Sequence, residues 1–147
     1  MRPHRLLPIF VSAALALCAV TQTAQSAAVT SSAPVIHETF ALLACPSKPK
    51  TTLQIEGCAE HRVVAIDKTI DALSVNIFAK LRSAGRRAYA EASADWLTYR
   101  NTECDAEASI YDGGSIQPVD YADCLIAIDR SHVGELRAML VALSPAG

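Results

Sequence analysis

The chain has no Cys-x-x-Cys pair, and its four histidines are scattered rather than set at ligand spacing. A structural zinc site needs close-set ligand pairs, so a metal is excluded on that ground. Also missing is Gly-x-Ser-x-Gly, the strand-to-helix elbow that exposes a hydrolase serine. Ser115, Asp129 and His132 supply the residue types of a triad. Asp129 and His132, however, stand three apart on a helical stretch, where surface pairing is the expected arrangement. Glu60-His61 and Glu103-x-Asp105 have no nucleophile or metal ligand at telling spacing beside them. No catalytic residue and no cofactor are therefore expected. Basic charge is scarce as well: 13 Lys and Arg stand against 15 Asp and Glu, which removes the electrostatic case for binding DNA or RNA. No apolar run reaches the roughly twenty residues that a membrane helix requires, and there are no internal repeats.

What is present begins with an export pattern. Arg2 and Arg5 precede an almost wholly apolar run from Leu6 to Val20, and Ala24-Gln25-Ser26 places small residues before Ala27. This reads as a signal peptide over 1–26. Cys18, after Leu15-Ala16-Leu17, offers the alternative of a lipid-modified cysteine. A small residue normally precedes such a cysteine and Leu17 is not small, so cleavage before Ala27 is the expectation. The mature chain would then hold eleven basic and fifteen acidic residues, a net charge of −4. It is long enough for one domain with a real core and too short for two. A periplasmic or secreted location follows.

The mature cysteines are Cys45, Cys58, Cys104 and Cys124. An even number in an exported chain favours two disulfides, and four cysteines allow three pairings. Residues 27–44 mix Ser, Thr and Ala with Pro34 and show no period, which predicts a flexible tether ordered only where Cys45 ties it down. Thr51 with Gln54 resembles a capping box. From there Ala59, Val63, Ile66, Ile70, Leu73, Ile77 and Leu81 trace one stripe of a long helix. Glu60, Arg62, Asp67, Lys68 and Asp71 are read onto its other face. Val64, Val75 and Phe78 fall off the stripe; they either meet a partner helix or widen the core, and the wider core is the expectation. Gly85 is suited to a left-handed cap. A second helix is predicted over 86–108, turned back antiparallel, with Tyr89, Ala92, Trp96 and Tyr99 on one face and Trp96 as core anchor. Gly113, Gly114 and Pro118 break the next stretch. Asp120 and Asp123 then open a third helix whose stripe is Leu125, Ile128, His132, Leu136, Leu140 and Leu143. Gly134 in its middle suggests a close crossing. The fold class is all-α: a small antiparallel three-helix domain over 45–143, with a tail at 144–147. Cys104 lies near the end of helix two and Cys124 near the start of helix three, so a bond between them staples the loop. Cys45 and Cys58 likewise pin the tether to helix one. Each bridge is worth about 3 kcal/mol on chain-entropy grounds.

Trp96-Leu97-x-Tyr99-Arg100-x-x-x-Cys104, then Gly113-Gly114-Ser115, Cys124, Arg130 and Leu136, resemble the lysozyme-inhibitor LprI-like family of bacterial envelope proteins. Cys58 and Asp67 are similar to the family's first helix. The sequence departs from it at Ile70, Asp71 and Ser74, where many members carry Leu-Asn followed by Tyr. The resemblance implies a binding module with lysozyme or a related muramidase as partner. The residues offer a matching chemistry. Between Glu103 and Asp129 lie seven acids and no Lys or Arg, and such a patch steers basic partners. The candidate binding residues are Tyr111, Asp112, Gly113, Gly114, Ser115, Asp120 and Tyr121, carried on the stapled loop. The alternative function is a non-catalytic envelope adaptor or structural protein without lysozyme affinity.

Overall fold

The computed structural model describes residues 32–144. The expected signal, its cleavage point and Cys18 lie outside the described residues, as do Pro145, Ala146 and Gly147. Three helices follow one another: α1 (Thr52–Lys80), α2 (Ser83–Ala108) and α3 (Gln117–Ala142), with a 3-10 turn at Ser109–Tyr111 before the last. Side-chain pairings set their directions. Ser74 meets Tyr89 and Asp67 meets Arg100, so α2 runs antiparallel to α1. Cys104 joins Cys124 and Trp96 stacks on His132, so α3 runs antiparallel to α2 and parallel to α1.

Each boundary has a local cause. Thr51 accepts the Gln54 amide at 3.3 Å, and the Gln54 side chain accepts from Lys50 N at 2.8 Å, which quiets the first turn of α1. The α1–α2 turn needs no left-handed residue. Leu81 and Arg82 are extended, and Gly85 lies inside the first turn of α2. Arg86 Nε donates to Phe78 O and Leu81 O, both at 3.0 Å, so the carbonyls that a glycine cap would serve are already met. Helix α3 starts at Gln117, three residues before Asp120, because the fixed φ of Pro118 suits a first helical turn. Asp120 remains in that turn, where a carboxylate meets the positive helix end.

Of the predicted stripe, Ala59, Val63, Ile70 and Ile77 are buried and Ile66, Leu73 and Leu81 half-buried against the core, and Phe78 widens the core while Val75 stays outside. On α3 the buried face is Ala122, Leu125, Ile126, Asp129, Val133 and Leu136, so His132 sits at its edge rather than its centre. Gly134 faces open space and marks no crossing; a side chain there would meet nothing. The glycine under a close approach is Gly57, where a Cβ would come within 2.8 Å of the Leu43 and Ala44 carbonyl oxygens.

The chain that approaches Gly57 is the expected tether, and it is no tether in the structure. Residues 33–44 form neither helix nor strand and lie as a strap between α1 and α2, with Leu42 in a left-handed conformation (φ +49°), and α3 packs on both helices. Along the strap the inward residues alternate: Pro34, Ile36, Glu38 and Phe40 are half-buried, while Val35, His37 and Thr39 face out. Ile36 N donates to Asp71 Oδ1 at 2.9 Å, and Leu43 N donates to Glu60 Oε2 at 3.0 Å. Composition misses this because an extended segment satisfied by side chains needs only a period of two over a few residues. The Cys45–Cys58 and Cys104–Cys124 bridges both form.

Gly57→Ala should lower stability by about 1–3 kcal/mol, since the added carbon meets backbone that cannot retreat without lifting the strap. Urea denaturation of the oxidised protein measures the loss. Faster protease cleavage between residues 33 and 44 would accompany it.

Candidate functional site

Two features stand out: a charged layer inside and a negative loop end outside. The charged layer centres on Arg100, whose side chain is 1% exposed. Its Nη1 donates to Asp67 Oδ1 at 3.3 Å and to Asp129 Oδ1 at 3.2 Å, and its Nη2 donates to Glu38 on the strap. The guanidinium also lies 5.5 Å from the Trp96 ring centroid. One cation thus joins the strap and all three helices. Above and below it the core is apolar. Ala59, Val63, Cys104, Ala122 and Leu125 fill the disulfide end, and Ile70, Ile77, Tyr89, Val133 and Leu136 fill the other.

Three carboxylates on one guanidinium leave an excess of negative charge where little water reaches. Burial, with Asp129 close by, pushes the Asp67 carboxyl up to about 7. Burial also raises Asp129, against the pull of Arg100. Burial opposes the Arg100 cation too, but Asp129, Glu38 and Asp67 outweigh it and its pKa is raised. Asp67 Oδ2 and Asp129 Oδ2 are both buried without a hydrogen-bond partner, so a retained proton relieves charge and supplies a donor together. Asp67, read onto the outer face of α1, is inside. Asp129 is not part of the negative patch and does not pair with His132, whose Nδ1 meets Glu135 Oε2 at 3.0 Å instead.

The loop end carries the remaining acids. Asp112 N donates to Ser109 O at 3.2 Å, Gly114 N to Tyr111 O at 2.8 Å, and Gln117 N to Gly114 O at 3.2 Å. Gly113 takes φ +72°, a conformation that favours glycine, and its amide donates to the Gln117 side chain at 3.2 Å. The loop is therefore a chain of short turns held at its base by the buried Cys104–Cys124 bridge. Tyr111, Asp112, Gly113, Gly114 and Ser115 are all exposed on it. Asp120 is half-buried, with Oδ2 unpartnered. Tyr121 is turned inward against the disulfide end of the core, and burial together with Asp105 and Glu38 raises its phenol.

Beside the loop, α2 and α3 enclose a cleft of about 330 Å³ between Tyr99, Glu103 and Glu107 on one wall and Asp120, Asp123 and Ile128 on the other. Tyr99, placed on the core face by its spacing, is 57% exposed here. The inner stripe of α2 passes through Arg100 instead, with Trp96 half-buried beside it. Asp123 is partly neutralised by Arg62, 3.2 Å away on the surface. Among the described residues no group of His, Cys, Asp or Glu is arranged to hold a metal ion.

The model of the family described as Lysozyme inhibitor LprI matches residues 45–136, more than half of the 147 residues. The chain belongs to this family. No curated protein and no solved structure matches it. Within the LprI domain the Trp96, Arg100 and Cys104 positions of the motif are inward, while its Tyr99 is presented to solvent. The departures on α1 are structurally occupied: Asp71 receives the strap amide, and Ser74 accepts the Tyr89 hydroxyl at 2.8 Å. Two disulfides and the LprI match fit an extracytoplasmic protein. No helix among the described residues is long and apolar enough to cross a membrane.

Arg100→Gln should cost about 3–5 kcal/mol, the penalty for stranding buried carboxylates. The pH dependence has a definite sign. Unfolded Asp67 loses its proton near about pH 4, and the folded group keeps it to about 7. Folding takes up a proton between those values. The contribution is therefore full below the unfolded pKa and is lost as pH rises through about 7. Asp67→Asn should flatten the fall in stability between pH 5 and 8, checked by urea midpoints at both.

Proposed function

We propose that this LprI protein is an extracytoplasmic inhibitor of lysozyme or a related muramidase, acting by steric and electrostatic occlusion through its loop end. The observation that carries the reading is the family match. The loop chemistry supports it. Tyr111, Asp112, Gly113, Gly114 and Ser115 stand out on a turn already ordered by internal hydrogen bonds, so docking costs little conformational entropy. Glu103, Asp105, Glu107 and Asp112 supply the negative field that draws in a basic enzyme, and Asp120 lines the adjoining cleft. Exposed Tyr99, Ile110, Tyr111 and Ile116 offer the apolar and aromatic contact that charge alone lacks. Tyr121 acts in this scheme from behind, filling the base of the loop rather than touching the enzyme. No group in the mechanism breaks or forms a covalent bond. The protein works as a plug.

The oxidised protein should inhibit a basic lysozyme at low salt and do so less well at high salt, because the guiding field is screened within about 10 Å at 0.1 M. Tyr111→Ala with Asp112→Ala and Ser115→Ala should abolish most of the inhibition while leaving thermal stability within about 1 kcal/mol, since these are exposed positions. Inhibition that survives all three changes would place the contact elsewhere. An absence of inhibition against any lysozyme class would favour the adaptor reading.

A further inference from the structure

Where α1 and α3 run side by side, Ile66 and Thr69 of the first helix and Arg130, Val133 and Arg137 of the third line a cleft of about 280 Å³. Arg130 and Arg137 are seven residues apart, two turns along one face, which separates their backbones by about 10 Å. Val133 is buried and closes the floor, while both arginines are exposed at the rim.

The two cations are unmatched. No carboxylate lines the cleft, and among the described residues neither arginine takes part in an ion pair. Asp123, seven residues before Arg130 in the same row of α3, is already held by Arg62 at 3.2 Å. Asp129, beside Arg130 in sequence, is turned into the core, where Arg100 holds it at 3.2 Å. Two guanidiniums around one opening repel each other, and an anion between them removes the repulsion.

Gly134 adds an independent observation. It stands four residues after Arg130 and three before Arg137, so it shares their face. Glycine destabilises a helix interior relative to alanine. No close packing requires one here, since a Cβ would meet nothing within 4 Å. The missing side chain keeps the space beside the guanidiniums open. Across the cleft, the Thr69 hydroxyl donates to Ala65 O at 3.3 Å, and its oxygen is left to accept from a ligand hydroxyl.

We propose that the α1–α3 cleft binds a phosphate monoester, its phosphoryl oxygens held by Arg130 and Arg137 and its carbon part lying on Ile66 and Val133. A monoester carries about −1.5 to −2 charges at neutral pH, which matches two cations, and its oxygens suit the guanidinium fork. A carboxylate brings a single charge. The site stands apart from the loop end and does not depend on the lysozyme reading.

Glycerol 3-phosphate and acetate are titrated into the oxidised protein at constant ionic strength and followed by amide chemical shifts. Saturable shifts are expected at Thr69, Arg130, Gly134 and Arg137, with glycerol 3-phosphate binding about tenfold or more tighter than acetate, the gain of one charge-assisted hydrogen bond. Arg130→Gln and Arg137→Gln should each weaken binding by about tenfold on the same ground, and the double variant should abolish it. Arg87→Gln removes the same charge from an exposed position on α2 and should leave binding unchanged. Gly134→Gln should raise the thermal midpoint yet weaken binding, a combination that a glycine without a ligand nearby would not give. Phosphatidate vesicles separate the two sources of the same chemistry. Sedimentation with vesicles that the double variant abolishes, without a response to glycerol 3-phosphate, would assign the cleft to a lipid headgroup. No response in either arm, equal affinity for acetate and the monoester, or binding that survives the double variant would overturn the site.

Discussion

A single guanidinium placed among three carboxylates organises this molecule. Among the described residues, Arg100 alone bonds to the strap, to α1 and to α3 from α2, and it does so in the middle of a largely apolar interior. Such an arrangement contributes little net stability compared with well-packed hydrocarbon, because taking the charges out of water offsets their attraction. What it does provide is alignment. Two apolar layers slide past each other at small cost, whereas a buried cation tolerates no register that strands it. The strap follows the same plan in miniature. Ile36 lies on one apolar layer, Glu38 on the charged layer and Phe40 on the other, so five residues of chain match three levels of the bundle.

The excess of acid in that layer ties folding to proton uptake. Arg100 neutralises one carboxylate of three, and protonation of Asp67 removes one of the two charges left. The exterior acids at the loop end obey different rules, because water and salt screen them. Two sets of carboxylates close together in sequence thus serve opposite ends: one fixes register, and the other faces outward where a partner can sense it.

Much of the architecture was legible from the chain. The α1 stripe, the break before α3 and the two disulfide pairings follow from period, turn residues and the position of each cysteine, whereas the first break falls at Leu81–Arg82, ahead of the glycine that marked it in the sequence. The errors share a cause. Asp67, Asp129 and Glu38 are charged, and patterning puts charge on the surface unless a buried partner is known. Arg100 was visible in the motif, but only its neighbours in space reveal that it lies inside while Tyr99, one residue earlier, lies out. The strap was missed because its hydrogen bonds go to Asp71 and Glu60 rather than to a neighbouring strand. For the loop, sequence marks the residues, whereas the inward turn of Tyr121 depends on packing against the disulfide end of the core.

The strap also bears on how the chain reaches this state. The cysteine pairs are 13 and 20 residues apart, and the helices need only local contacts, so these parts form without distant partners. Glu38 and Arg100 are separated by 62 positions. A chain is synthesised amino end first, so the strap is made before α2 and α3, which receive it. Its companions at that stage are solvent and whatever escorts unfolded chains. Only when α2 has followed does Glu38 find its cation, so this early stretch of chain waits on a later one to settle.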